Sequence, residues 1–576
     1  MELAPLAIAA RAILGVGLTI CSVLACAAPD RSSPPEGPGT ERRPVAPKRI
    51  TAAILGDAHT VYNKLNLGNG VPGIEAVEEL VSAGLANTDG RGDLRPQLAE
   101  AVPTTENGHW RVFPDGQMEL TWKIRSSARW HDGAPIRAED LVFTARVMQD
   151  PDLSPFRDAN YAFLEAVEAA DQRTVIARWR RPYIYADWLF TRKMTLPLPR
   201  HVLEPPYAES KAGFLDLPYW SHEFMGTGPF RLRELVRGSH LTVEANDAYV
   251  LGRPKVDIVQ VRFIPDPGTL VANILSGEVE LTLHRTLSLE AATDVRDRWR
   301  DGRMEVTPSS LYRLWPQLAN PTPAVIGDVG FRRALLHGID RQQIVDTLQA
   351  GISAVAQTVL PPNRPEYAEI EAGAMRYEYA PGKAIQMIEA LSYARGVDGT
   401  FRDAGNQELT VEIRSSGGGT LEQPVILSVA DYWQRIGVRV DPLFIPPQRN
   451  QDREYRARRP GFLLRAGLSD LRGIPSYHSS TIPRPETNFI GDNDSHYVNQ
   501  DYDALVDRYR ATIPKAERMQ IAAKVVSNIA EQLPVLPLFY NMQPTMIANR
   551  LLHVGSGAGE ATQAWNAELW DVANGM

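Results

Sequence analysis

Apolar and polar positions along this chain switch repeatedly between a period of two and helical spacing. Met118, Leu120, Trp122 and Ile124 alternate with Glu119, Thr121 and Lys123, the pattern of a half-buried strand. A turn is expected at Asp132-Gly133, followed by a helix carrying Leu141, Val142 and Ala145. Lys255 to Pro265 predicts a second strand, and Leu270, Val271, Ile274 and Leu275 then fall at helical spacing that Gly277 is placed to end. Asp328 can cap a helix running through Leu336, and Asp340 can cap the next, which Gly351 closes. Short strands alternating with amphipathic helices predict an α/β fold. At 576 residues the chain exceeds the roughly 250–300 residues at which one core stops growing, so at least two lobes are expected.

The first residues follow a different pattern. Ala12 to Ala25 is an apolar run of signal-peptide length, too short to span a bilayer comfortably. It ends in Val23-Leu24-Ala25 before Cys26, which resembles the lipobox of bacterial lipoproteins. Arg11 is the only basic residue ahead of the run. The alternative is an ordinary cleaved signal or an uncleaved anchor. Pro29 to Pro47, rich in Pro, Gly, Ser and charge, cannot bury enough apolar area to fold and reads as a tether. Residues 1–25 are thus expected as a lipoprotein signal peptide and 26–49 as a disordered tether.

Composition narrows the function classes. The chain is 44% apolar and 23% charged with a formal net charge of -8, which gives it no electrostatic reason to seek nucleic acid or anionic lipid. Its two cysteines, Cys21 and Cys26, both precede the folded body, so no disulfide framework, thiolate metal site or catalytic thiol is expected there. Enzyme signatures fail one by one. Tyr377 stands where the first glycine of a phosphate loop would precede Gly382-Lys383, and His222-Glu223 lacks a second histidine. No nucleophile elbow occurs, and Gly417 to Gly419 reads as a loose loop. His131-Asp132 reads as a turn beside a strand, with a structural role. No catalytic residue, metal ligand or cofactor is expected.

Several blocks in order carry a resemblance. They are Glu79 to Val102 (ELVSAGLANTDGRGDLRPQLAEAV), Glu119 to Thr144 with its Trp130-His131-Asp132-Gly133 core and Ala138-Glu139-Asp140, and Gly226 to Gly238 followed by Asn246 to Tyr249. Phe263 to Leu281, Asp328 to Val345 and Leu533 to Tyr540 complete the series. Together they resemble the family 5 extracellular solute-binding proteins of bacterial ABC importers, the group of oligopeptide-, dipeptide- and nickel-binding proteins. Arg137 departs from the Thr or Ser usual at that helix cap, a change worth about 1 kcal/mol at most. The resemblance implies a two-lobe α/β periplasmic-binding-protein-like fold of class II topology with an extra subdomain in lobe one. Lobe one would span 50–310, with the subdomain at about 85–200, lobe two 311–532, and 533–576 would return to lobe one. It further implies a monomer at the periplasmic or extracytoplasmic surface, held to a membrane through its lipid. That monomer would trap a small solute, such as an oligopeptide, and present it to permease subunits. A sensor of the same fold, or a binder of a sugar or nickel complex, stays open beside this.

The same resemblance nominates site residues. Asn69, Gly70 and Val71, in the stretch NLGNGVPG, resemble the edge segment that pairs its backbone with an extended ligand, and the alternative is a plain Gly-Pro turn. Phe462 to Ser480 resembles the opposite wall, in which Arg465, Ala466, Gly467 and Asp470 match. There the resemblance implies an aspartate for a ligand's ammonium and an arginine for its carboxylate, against the alternative of two solvated surface charges. Leu468 stands where the family has tryptophan, and Arg472-Gly473-Ile474-Pro475 replaces its acidic-Pro segment. Tyr477 and Trp315 are aromatic candidates for the pocket lining, with core packing as the alternative.

Overall fold

The computed structural model describes residues 46–66, 71–156, 159–371, 373–415, 421–446, 449, 452–557 and 561–573. Cys26 with the leader and tether, Asn69 and Gly70, and the Gly417 to Gly419 run lie outside the described residues.

Two long antiparallel strands, Gly302–Pro316 and Leu536–Ala548, form the spine, in register from Gly302 opposite Ala548 to Leu314 opposite Leu536. On one side the second of them pairs with Leu281–Thr282, and the sheet continues through Arg49–Ile54, Ile258–Phe263, His240–Ala245 and Phe230–Val236. On the other side Leu311 to Pro316 pairs with Phe462–Gly467, followed by Thr410–Ser415 and Arg439–Leu443. The result is one ten-stranded mixed sheet whose two halves meet at the spine. The ladder slips between Pro308 and Ser310. Proline has no N–H to give, and the extra residue interrupts the ladder there. This is a mixed α/β fold of two lobes.

Local chemistry accounts for the elements. The carboxylate of Asp328 accepts from the N–H groups of Gly330 (2.6 Å) and Phe331 (3.2 Å) and opens helix Val329–His337. Asp340 does the same for Arg341–Leu348 through Gln343 N–H at 2.9 Å, and Asp266 for Pro267–Leu275 through Thr269 N–H at 2.7 Å. Each such cap contributes about 1 kcal/mol. Helices Val329–His337 and Glu422–Arg435 bury Phe331, Leu335, Val429 and Trp433 against Phe462 and Leu464 of the second lobe. In the first lobe Arg49–Ile54 is buried on both faces, as a central strand flanked by parallel neighbours should be. That strand opens one residue ahead of the boundary expected at 50, and Lys48 already pairs with Asp571 at 2.5 Å.

A separate four-stranded antiparallel sheet, in the order Trp110–Val112, Met118–Lys123, Thr174–Trp179, Leu164–Ala169, carries helix Ala138–Gln149. Met118, Leu120 and Trp122 are buried, as their alternation demands. Asp140 is a hub in this unit, accepting from Arg137 N–H (2.8 Å), Arg200 N–H (3.0 Å) and the Trp130 indole (3.3 Å). The first of these contacts supplies the helix start with a partner that the Arg137 side chain, having no acceptor, cannot give. His131 is a brace. Its Nδ1 accepts from Gly226 N–H (3.2 Å), so Nε2 carries the proton and donates to Gly228 O (3.1 Å). Burial holds its pKa down at about 4, which keeps the ring neutral. Gly226 and Gly228 press on the backbone of Val81, where a Cβ would collide with the chain. Three of the blocks that carry the family resemblance are therefore one structural clasp.

Candidate functional site

Where the two halves of the sheet meet, a cavity of about 650 Å³ opens beside the bulge. Pro308, Ser309 and Ser310 form its floor with Asn541 and Gln543 of the neighbouring spine strand. One wall belongs to the first lobe. Glu75 stands on helix Ile74–Val81, His284 and Arg285 follow strand Leu281–Thr282, and Arg192 and Lys193 follow the short helix Ala186–Trp188. The other wall is made by Leu468, Ser469, Asp470 and Arg472, at the end of strand Phe462–Gly467 and the start of helix Leu471–Tyr477. Arg364 joins this wall and also touches a second chamber of about 260 Å³, which shares Lys193, Asp470 and Arg472 with the first. A cavity between lobes, floored by the strands that connect them, is where a hinged protein holds a ligand.

Its electrostatics follow from the partners of each group. Arg285 is ion-paired with Glu75. Arg192 lies 3.9 Å from Glu79, and Arg364 lies 3.4 Å from Glu366. Lys193 sits over the Trp188 ring at 4.3 Å. Burial, then the positive charges of Arg472 and Arg192, push its pKa down to about 7 against the opposing pull of Asp187 and Asp470. His284 is pushed to about 4 by burial and lines the cavity as a neutral ring.

The nominated residues separate. Asp470 is on the cavity wall, but its carboxylate is already engaged: Arg472 grips it at 2.6 Å through Nη2 and donates its own backbone N–H at 2.8 Å. Arg465 turns to a smaller chamber of about 210 Å³ and pairs with Asp494 at 2.6 Å. Gly467 pairs with Leu311, and a side chain there would collide with the Arg313 guanidinium. Tyr477 and Trp315 are in the core, not on the cavity wall. Both are fully buried with ring centroids 5.2 Å apart, and the Tyr477 hydroxyl accepts from Arg313. Val71 is half-buried against the first lobe, its carbonyl accepting from Ile74 N–H at 3.0 Å.

Glu75, Arg192, Lys193, His284, Arg285, Arg364 and Arg472 escaped the reading of the sequence. One signal was available. Arg192-Lys193 is a pair of cations inside the largely apolar stretch WLFTRKMTLPLP, and long cations in such surroundings are exceptional unless something answers them. Among the described residues no cluster of three or more His, Cys, Asp or Glu could hold a metal ion, and no helix is long and apolar enough to cross a membrane.

A two-lobed α/β body with a charged cavity between the two halves of its sheet is a frame suited to holding a solute. The model for bacterial extracellular solute-binding proteins, family 5 Middle, matches residues 93–477, and the chain belongs to that family, one of solute-binding proteins and not of enzymes. The oligopeptide-binding protein AppA of Bacillus subtilis (strain 168) is 24% identical over 481 residues, covering 81% of each chain. Among solved structures, NikA from Brucella suis in complex with Fe(III)-EDTA superposes with a TM-score of 0.73 at 17% identity, over 91% of this chain and 99% of that one. The oligopeptide-binding protein from Thermus thermophilus complexed with a pentapeptide gives 0.68 at 20% identity, over 91% and 96%. At these identities the two structures attest the fold.

Proposed function

We propose that this protein captures a peptide-sized solute in the central cavity and hands it to the permease of an ABC importer, while a lipid on Cys26 holds it at the outer face of a membrane. The observation that carries this reading is the cavity itself, which draws its walls from both halves of the sheet and its floor from the bulged spine. A solute touching both walls favours the closed arrangement over the open one, which is what hinge closure requires. The kinship with an oligopeptide-binding protein supports a peptide-sized ligand. We take lobe one as 50–310 with 533–576, and lobe two as 311–532.

Ligand extracted from the purified protein and identified by mass spectrometry is the direct test. At about 100 times its dissociation constant that ligand should stabilise the fold by about 2.7 kcal/mol. It should also lower the radius of gyration in small-angle scattering, and an unchanged radius at saturation would rule out hinge closure. Cys26→Ser should abolish lipid labelling and release the protein from membranes; retention of both would place the anchor elsewhere.

A further inference from the structure

We propose that the solute carries at least two oxyanion groups, carboxylate or phosphate, which neutralise cations facing each other from the two lobes. This rests on the reading of the central cavity as the solute site.

The argument starts from which atoms line the cavity. Arg192, Lys193 and Arg285 face it from the first lobe, and Arg364 and Arg472 from the second, while only Glu75 and Asp470 among its lining residues are acidic. Each of these two carboxylates is already held by an arginine of its own lobe. Glu366, the acid that answers Arg364, lines the adjoining chamber and not this one, and at 3.4 Å it is a long partner. A lining in which five cations face two acids, both already held, suits an anion, since a guanidinium presents a fork of donors matched to carboxylate and phosphate.

Arg364 carries the argument furthest. Its buried Nε has no acceptor among the described residues, and its guanidinium packs on Gly92 of the opposite lobe, where a Cβ would come within 2.9 Å of it. Arg364 therefore reaches across the cleft with donor capacity to spare. The same cross-cleft relation holds between Lys193 and Arg472, whose charge helps to hold the lysine near neutrality. Like charges meeting across a closing cleft oppose closure, and an anion lying between them reverses the sign. A neutral or purely cationic solute supplies no such counter-charge. Two oxyanions in one molecule can meet both walls at once, which couples binding to closure.

The test is isothermal calorimetry with triglutamate, trialanine and trilysine, and with citrate and pyrophosphate to separate carboxylate from phosphate recognition. Triglutamate, citrate or pyrophosphate should bind at least tenfold more tightly than trialanine, with trilysine weakest. Arg364→Gln should weaken the anion at least tenfold and trialanine by a smaller factor, with thermal unfolding of the ligand-free variant as the control for folding. Lys193→Met provides a second variant should the first not fold. Trialanine or trilysine binding as tightly as the anions would overturn the proposal while leaving solute capture standing. No binding by any of the five would overturn both.

Discussion

The two walls of the central cavity hold their charges in different ways. The first-lobe wall, beside its own Glu75–Arg285 pair, carries desolvated groups: burial brings Lys193 down to about 7 and His284 to about 4, so charging either costs free energy. The second-lobe wall is self-paired: Asp470 and Arg472 are two residues apart, bonded through both side-chain and backbone atoms, with 16% and 25% of their side chains exposed. A desolvated wall responds to a ligand by changing protonation, and a self-paired wall responds by exchanging partners. A ligand that suits one wall need not suit the other, so the two can be separated by mutation.

The largest expected effect comes from breaking the paired wall on its cationic side. Arg472→Met removes a donor and leaves the Asp470 carboxylate facing the cavity without its grip. Removing one partner of a desolvated charge pair costs about 3–5 kcal/mol, and the partial exposure of Arg472 places the loss of its contact with a bound anion at about 3 kcal/mol. Anion affinity measured by calorimetry should therefore fall about 100-fold. The reverse cut should act in the opposite direction. Asp470→Asn keeps the cap on Arg472 N–H, because asparagine caps as well as aspartate, and it releases the guanidinium toward the solute. Anion affinity should rise up to about tenfold. The reading that gives Asp470 a ligand ammonium requires a loss of roughly two to four decades, so this one variant decides between them.

The desolvated wall is tested by pH. A bound anion raises the pKa of Lys193 above its ligand-free value of about 7, so binding takes up a proton. Affinity is full below about pH 7 and should fall about fivefold between about pH 7 and 8, as the lysine loses its proton in the free protein only. Asp187, the nearby buried acid at about 6, stays ionised over this range. In the ligand-free protein the unfolded chain holds the Lys193 proton up to about pH 10.5, so stability should rise with pH between about 7 and 10.5. Lys193→Met should flatten both profiles, read by calorimetry in buffers of different ionisation enthalpy and by thermal unfolding.

What could be read from the sequence was local. Met118 to Ile124 declares a strand by its own alternation, and Asp328 and Asp340 declare helix starts because a cap acts within three residues. The family blocks could be recognised, yet their roles could not. His131 reads as structural in one dimension, but what it and Asp140 brace is visible only in three, since their partners Arg200, Gly226 and Gly228 are 60 or more residues away. The cavity fared worst for the same reason. Glu75, Arg192, Arg285, Arg364 and Arg472 each read as an ordinary solvated charge, and only the sheet order around the spine brings them together. Tyr477 went from wall to core because its hydroxyl meets Arg313, 164 residues earlier, on the far side of the strand pairing.

The smallest effect belongs to the arginine that the family pattern favoured. Arg465 and Asp470 flank the same turn, but the strand sends Arg465 into the smaller chamber, against Asp494. Arg465→Gln should leave solute affinity within about twofold, because none of its partners lines the central cavity. The cost to folding should also be small. The Arg465 side chain is 44% exposed, and solvent screens a pair of that kind to about 1 kcal/mol or less. Asp494 is only 8% exposed and would be the group at risk, but it keeps the positive charges of Arg459 and Arg456 nearby, and its carbonyl still accepts from Arg459 at 2.7 Å. Thermal unfolding alongside calorimetry measures both quantities on one sample. A tenfold loss of affinity in Arg465→Gln with unchanged stability would move the solute toward the smaller chamber and reverse the ranking of the two arginines.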